Sequence, residues 1–252
     1  MKRLTSILLV FLMVVCLCAC GNTGTKVTVT EEKPSGTTAE KTVYVNSIEE
    51  LEELINKDVS GIITALEEEY NKLIAEITTY DQYVEKEDKV EAFYAKVNSE
   101  TRKLCIRLRE YSVSYVQMII DSDMTNDEKD EAIEGIYECL YEDAGDTIYE
   151  GIYEGVLEDM YDYFYGGILE DGYDYAPYKE WSDVLSNEYD MWSDTLSDVY
   201  DHWSDYSSDI YDFWSDVNSA MWDNDIEEVK EEIEKFKEDI IELKGVVFDS
   251  KN

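Results

Sequence analysis

One histidine, five cysteines and 60 carboxylates are the side chains of this 252-residue sequence that could do chemistry. Their spacing argues against most of it. His202 stands at the edge of the apolar face of an eleven-residue repeat, where its sister positions carry Met191, Phe213 and Asn224. It therefore reads as a boundary residue, neither a base nor a metal ligand. With a single imidazole, no glycine-rich phosphate loop, no Cys-x-x-Cys pair and no nucleophile elbow, the sequence assembles no constellation for acid–base, nucleophilic or zinc chemistry. The carboxylates are spread so evenly that no pair stands out as a glycosidase dyad. The expectation is a protein without catalysis, bound metal or cofactor.

The acids matter instead as a field. The formal charge is −39, and from Asp121 to Asp223 there are 31 acids against Lys129 and Lys179 alone. Asp190–Asp194, Asp201–Asp205 and Asp212–Asp216 are like-charge pairs at i,i+4, each unfavourable by roughly 0.2–0.5 kcal/mol. Such a surface repels nucleic acid and other polyanions. The plain reading is a solvated face. The sharper one is an acidic module for divalent cations or a cationic partner, since Ca²⁺ takes carboxylate oxygens. Against a calcium site, no segment has EF-hand ligand spacing, and a helix face sets carboxylates in rows and not in cages. Arg102, Lys103, Arg107 and Arg109 cluster on one predicted helix and are expected to pair with acids of neighbouring helices.

The start of the chain gives an address. Met1-Lys2-Arg3 is followed by an apolar run from Ile7 to Cys18. It is too short for a hydrocarbon core that needs about 20 residues, but it suits a signal peptide. The run ends Leu17-Cys18-Ala19-Cys20, a tetrad that resembles the lipobox of bacterial lipoprotein precursors. The resemblance implies cleavage before Cys20, lipidation of Cys20 by palmitate-type acyl chains, and anchorage on the extracytoplasmic face of the cell membrane. Two or three chains, at roughly 0.8 kcal/mol per buried methylene, hold durably. Residues 1–19 then form the signal peptide. Residues 20–46, rich in Thr, Gly, Ser and Lys, read as a disordered tether. The mature chain keeps Cys105 and Cys139. They fall nearly level if their helices form a hairpin turning near Asp123, so a disulfide in this exported protein stands as the alternative to two buried apolar thiols.

The elements come next. Ser47 and Glu50 have the spacing of a capping box, and Ile48, Leu51, Ile55, Val59, Ile62, Leu66, Tyr70, Leu73 and Ile77 step by three or four. They predict a first helix, bent at Ser60-Gly61. A second runs from about Tyr80 to Ile120. A third begins at the capping box Thr125–Glu128 and carries tetrads from Gly135 onward, GIYE, CLYE, DAGD, TIYE, GIYE and so on. A period of four drifts about 40° per tetrad on a helix of 3.6 residues per turn. The apolar stripe must wind unless the helix breaks, and Gly145-Asp146 and Gly166-Gly167 are the expected breaks. From Pro177 the chain enters four eleven-residue units over 181–224, headed by Trp181, Trp192, Trp203 and Trp214, with Tyr189, Tyr200, Tyr211 and Trp222 at the ninth position. Eleven residues make three helical turns, so one face is aromatic and the other almost only Ser and Asp. A last helix spans Ile226 to Leu243 and closes at Gly245.

The predicted fold is all-α, an elongated antiparallel bundle over residues 47–245 with a coiled-coil-like hendecad helix as its spine and a tail at 246–252. Its aromatic face is expected to point inward. Any part left uncovered would serve a protein partner or self-association. The pattern as a whole resembles surface lipoproteins of Gram-positive type. The expected role is structural or interactive, at the membrane, with no nucleic-acid partner. Solute-binding lipoproteins resemble paired α/β lobes, and no strand pattern supports those here.

Overall fold

The structure is a computed structural model that describes residues 25–32, 38–174 and 176–249. Five helices, antiparallel to their chain neighbours, dominate it: α1 (Ile48–Glu76), α2 (Tyr80–Asp121), α3 (a continuous helix over 126–169), α4 (Tyr178–Trp222) and α5 (Ile226–Asp249). α1 and α4 each pack against both α2 and α3, and α5 lies along α2 and α4. The fold is an all-helical bundle with α4 as its spine, preceded by one hairpin.

That hairpin, β1 (Thr25–Glu32) paired antiparallel with β2 (Thr38–Val45) in the register Val27↔Val43, corrects the expected disordered tether. Its cause is written in Thr25-Lys-Val-Thr-Val and Thr42-Val-Tyr-Val, β-branched residues in alternation. Val27 and Val45 are buried with the helical core. β1 reaches α2 and β2 reaches α1, so the bundle supplies the face that a two-stranded ribbon needs.

Helix ends follow local chemistry. Ser47 Oγ accepts from the Glu50 N–H at 3.3 Å, while the Glu50 carboxylate reaches past it to the Asn46 N–H at 2.7 Å. At Thr125–Glu128 both arms of the capping box close. α1 is unbroken through Ser60-Gly61, with no helix end there. The interruption falls later, at Ile77–Thr79, with a local kink at Lys86 (φ −121°, ψ 17°) inside α2. α4 closes in a Schellman motif. Asn224 takes a left-handed φ of 57°, its N–H bonds Met221 O at 2.9 Å, and the Asp225 N–H bonds Ala220 O at 2.9 Å. α5 continues past Gly245 to Asp249.

The tetrads of α3 resolve differently from expectation. The helix does not break at Gly145 or Gly166. It alternates α-helical turns with π-helical segments at Tyr137–Ala144, Tyr149–Leu157 and Phe164–Leu169, and the junction residues stay in the right-handed helical region. A π turn bonds i→i+5 and holds more residues than an α turn. Mixed with turns of 3.6 residues, it brings the average close to four. The period-four stripe therefore stays on one side. Ile136, Leu140, Ala144, Ile148, Ile152, Val156, Met160 and Phe164 are all buried, a run of fours that α geometry alone would have scattered.

Candidate functional site

Along the seam between α3 and α4, two repeats of different length meet. On α3 tyrosines recur every twelve residues, as the pairs Tyr137/Tyr141, Tyr149/Tyr153 and Tyr161/Tyr165. On α4 the Trp/Tyr unit recurs every eleven. The residue gained per period on α3 is absorbed by its π segments, so both helices advance together by about three turns, or ~16.5 Å of α-helix.

The result is three near-copies of one four-ring cluster. Each tyrosine pair stacks at 4.8 Å between centroids, with interplanar angles of 23°, 16° and 14°. Trp214, Trp203 and Trp192 lie 4.9, 4.9 and 4.4 Å from the first tyrosine of each pair. Tyr211, Tyr200 and Tyr189 lie 5.8, 6.0 and 5.9 Å from the second. A truncated fourth copy joins Tyr173 and Tyr178 to Trp181 at 5.1 and 5.9 Å, with Pro177 where the second tyrosine would stand.

Each indole points its N–H inward. Trp203 donates to Gly145 O at 2.9 Å, Trp192 to Leu157 O at 3.2 Å and Trp181 to Leu169 O at 2.6 Å. These acceptors are also twelve residues apart, and each lies where a π segment gives way to α-helix. There the bonding ladder shifts register and leaves carbonyl capacity for a second donor. The matching acceptor for Trp214 would be Ile133, in the all-α start of α3, and the Trp214 N–H is buried without a partner.

The outer side of the seam is wet. The tryptophans and the stacked pairs are half-buried, while Tyr189, Tyr200 and Tyr211 remain 44–45 % exposed. This corrects the expected inward-facing stripe. The buried positions of the repeat are the fourth (Thr195, Tyr206, Val217) and the eighth (Val199, Ile210, Met221), and the ninth turns outward. Burial and the neighbouring acids hold the phenols of Tyr137, Tyr149 and Tyr161 above their ordinary range, Glu142 beside the first, Glu154 beside the second and Asp162 beside the third.

The other candidates separate cleanly. Cys20 lies outside the described residues. Cys105 and Cys139 are buried free thiols, so the disulfide alternative gives way to two apolar thiols, both pushed up to about 12 by burial. His202 shares a ring nitrogen with Asn98 Oδ1 at 2.9 Å at the α2–α4 contact, and burial lowers its pKa. Arg107 pairs with Asp58 of α1 at 2.8 Å, and the buried Arg109 pairs with Asp209 of α4 at 2.6 Å, as the basic cluster predicted. Lys103 pairs with Glu100 on its own helix. Among the described residues no three of His, Cys, Asp or Glu come together as a metal would require.

One site escaped the sequence reading. Glu188 is fully buried, and its two carboxyl oxygens accept from the hydroxyls of Tyr83 and Tyr94, the latter at 2.6 Å. Burial pushes its carboxyl up to about 7. The signal lay in the repeat: Glu188 occupies the eighth position, where the other units carry Val199, Ile210 and Met221.

Comparison of the chain with family models, with curated proteins and with solved structures finds no match. No helix among the described residues is long and apolar enough to cross a membrane.

Proposed function

We propose that the mature chain is a lipid-anchored, extracytoplasmic helical protein with a non-catalytic role, presenting the α3–α4 seam to a macromolecular partner. The observation that carries the interaction reading is the seam itself: three copies of a four-ring cluster whose inner faces hold the helices together, helped in two of them by an indole N–H bond across the seam, while its outer tyrosines stay in solvent. Isolated exposed tyrosines need no explanation, whereas a regular file of exposed aromatic clusters supports a contact surface. The anchor rests on Leu17-Cys18-Ala19-Cys20. Metabolic labelling with a clickable fatty acid tests it. Wild type is expected to carry the label and to partition with membranes, and Cys20→Ser to lose both. Label or membrane retention that survives Cys20→Ser would remove the anchor.

A further inference from the structure

We infer that the outer α3–α4 seam is a docking track for an extended, Lys/Arg-rich polypeptide segment, its cationic side chains lying over the tyrosine rings. The inference rests on the interaction reading above and names the chemistry of the partner.

Charge selects that partner. The exposed carboxylates of Glu134, Glu142, Glu154, Glu158 and Asp162 flank the rings on α3. None of these five forms an ion pair among the described residues, although the chain pairs its cations elsewhere, as in Arg107–Asp58, Arg109–Asp209 and Lys96–Glu69. Nor can a local base neutralise them. Of the two lysines between Asp121 and Asp223, Lys129 is buried with its ammonium on Ile120 O at 2.7 Å, and Lys179 lies at the truncated end of the track. A phenol face beside an unpaired carboxylate is a favourable place for an ammonium or guanidinium. The ring quadrupole and the full charge attract the same ion, and the contact is good to about 6 Å from the ring centroid.

Length selects the conformation. One cluster repeats every ~16.5 Å along α4. An extended chain advances at most about 3.3–3.6 Å per residue, so one cation in every five residues matches the clusters. A segment of about fifteen residues then meets all three, and each contact after the first forms intramolecularly. An apolar partner helix would leave the flanking carboxylates desolvated and unpaired, which disfavours it.

The test uses the full mature chain in mild detergent and a fifteen-residue Gly/Ser peptide with arginine at every fifth position. A second peptide carries citrulline in place of arginine. Binding is read by calorimetry and by Trp fluorescence, with circular dichroism to confirm folding. The arginine peptide is expected to bind and to weaken with salt, and the citrulline peptide to fail. The exposed triple variant Tyr189→Ala/Tyr200→Ala/Tyr211→Ala should lose about tenfold or more in affinity, as should Glu142→Gln/Glu154→Gln/Asp162→Asn. The charge-matched control Glu53→Gln/Glu67→Gln/Glu68→Gln, on the exposed side of α1, should stay near wild type. An equal loss in that control would overturn the track in favour of diffuse polyanion attraction. Binding indifferent to the tyrosines would overturn it as well. If the arginine peptide is ignored while the tyrosine variant loses cell-surface crosslinks, the basic-peptide inference falls and the interaction role stands. Fatty-acid labelling of Cys20 is independent of all these outcomes.

Discussion

Glu188 carries the sharpest chemistry in the molecule, because a carboxyl group buried in a tyrosine-lined core titrates at the expense of the fold. Two phenol hydroxyls stabilise its charge, yet burial outweighs them and raises its carboxyl from an ordinary 4.5 to about 7. The sign follows. Below pH 4.5 the group is protonated in folded and unfolded chains alike, and its stabilising contribution is complete. Between 4.5 and 7 the unfolded chain ionises while the folded one stays protonated, so stability falls; above 7 the loss is constant. At 1.36 kcal/mol per unit the whole effect is on the order of 3 kcal/mol. Glu188→Gln keeps an acceptor for one tyrosine and a donor for the other without the titration. We expect urea midpoints of the two proteins to be close at pH 4.5 and to separate by pH 8, with the variant more stable. Parallel curves over that range would exclude Glu188 as the source.

At the scale of elements, the glycines report how tightly each helix is held. Gly61 lies in α1, and no neighbouring group comes within 4 Å of the place an added methyl would take, so Gly61→Ala should stabilise by roughly 0.5–1 kcal/mol. At Gly172, just beyond α3, an added methyl would overlap the Tyr80 ring at the start of α2. Gly172→Ala should lower the melting temperature where Gly61→Ala raises it, and a rise in both would disprove the close approach. How legible the elements were in the sequence depended on whether their cause was local. The Thr125–Glu128 capping box, the start of α4 after Pro177 and the hendecad were readable because neighbours within one turn decide them. The π segments were not. Tetrads in one stretch showed only a conflict with α geometry, and the resolution depends on the eleven-residue partner that α3 must match. The outward turn of Tyr189, Tyr200 and Tyr211 was hidden for the same reason, since a lone helical wheel places the ninth position on the same side as the apolar first and fifth. The β-hairpin was readable in its Val/Thr alternation but was submerged in a Thr-, Gly- and Lys-rich composition.

For the whole molecule, the repeats raise a problem of address. Units this alike allow α4 to slide by one repeat along its neighbours and re-form most of its contacts. Arg109, now on Asp209, would find Asp198 at the equivalent position one unit away, so that ion pair does not exclude a slip in that direction. Glu188 does. Its tyrosine partners exist at one level of α2, and the same slip would carry the buried carboxyl to the level of Val199, away from both hydroxyls. Burying that group without a partner costs about 1–3 kcal/mol, and more if it is charged. The group that makes the fold pH-sensitive is therefore also its registration mark, much as one buried asparagine fixes the alignment of a coiled coil. Glu188→Leu should gain stability at neutral pH and lose uniqueness. Spin-label distances between α2 and α4, single in the wild type, should split into populations about one repeat apart in the variant, and a single sharp distance in both would show that the alignment is set elsewhere.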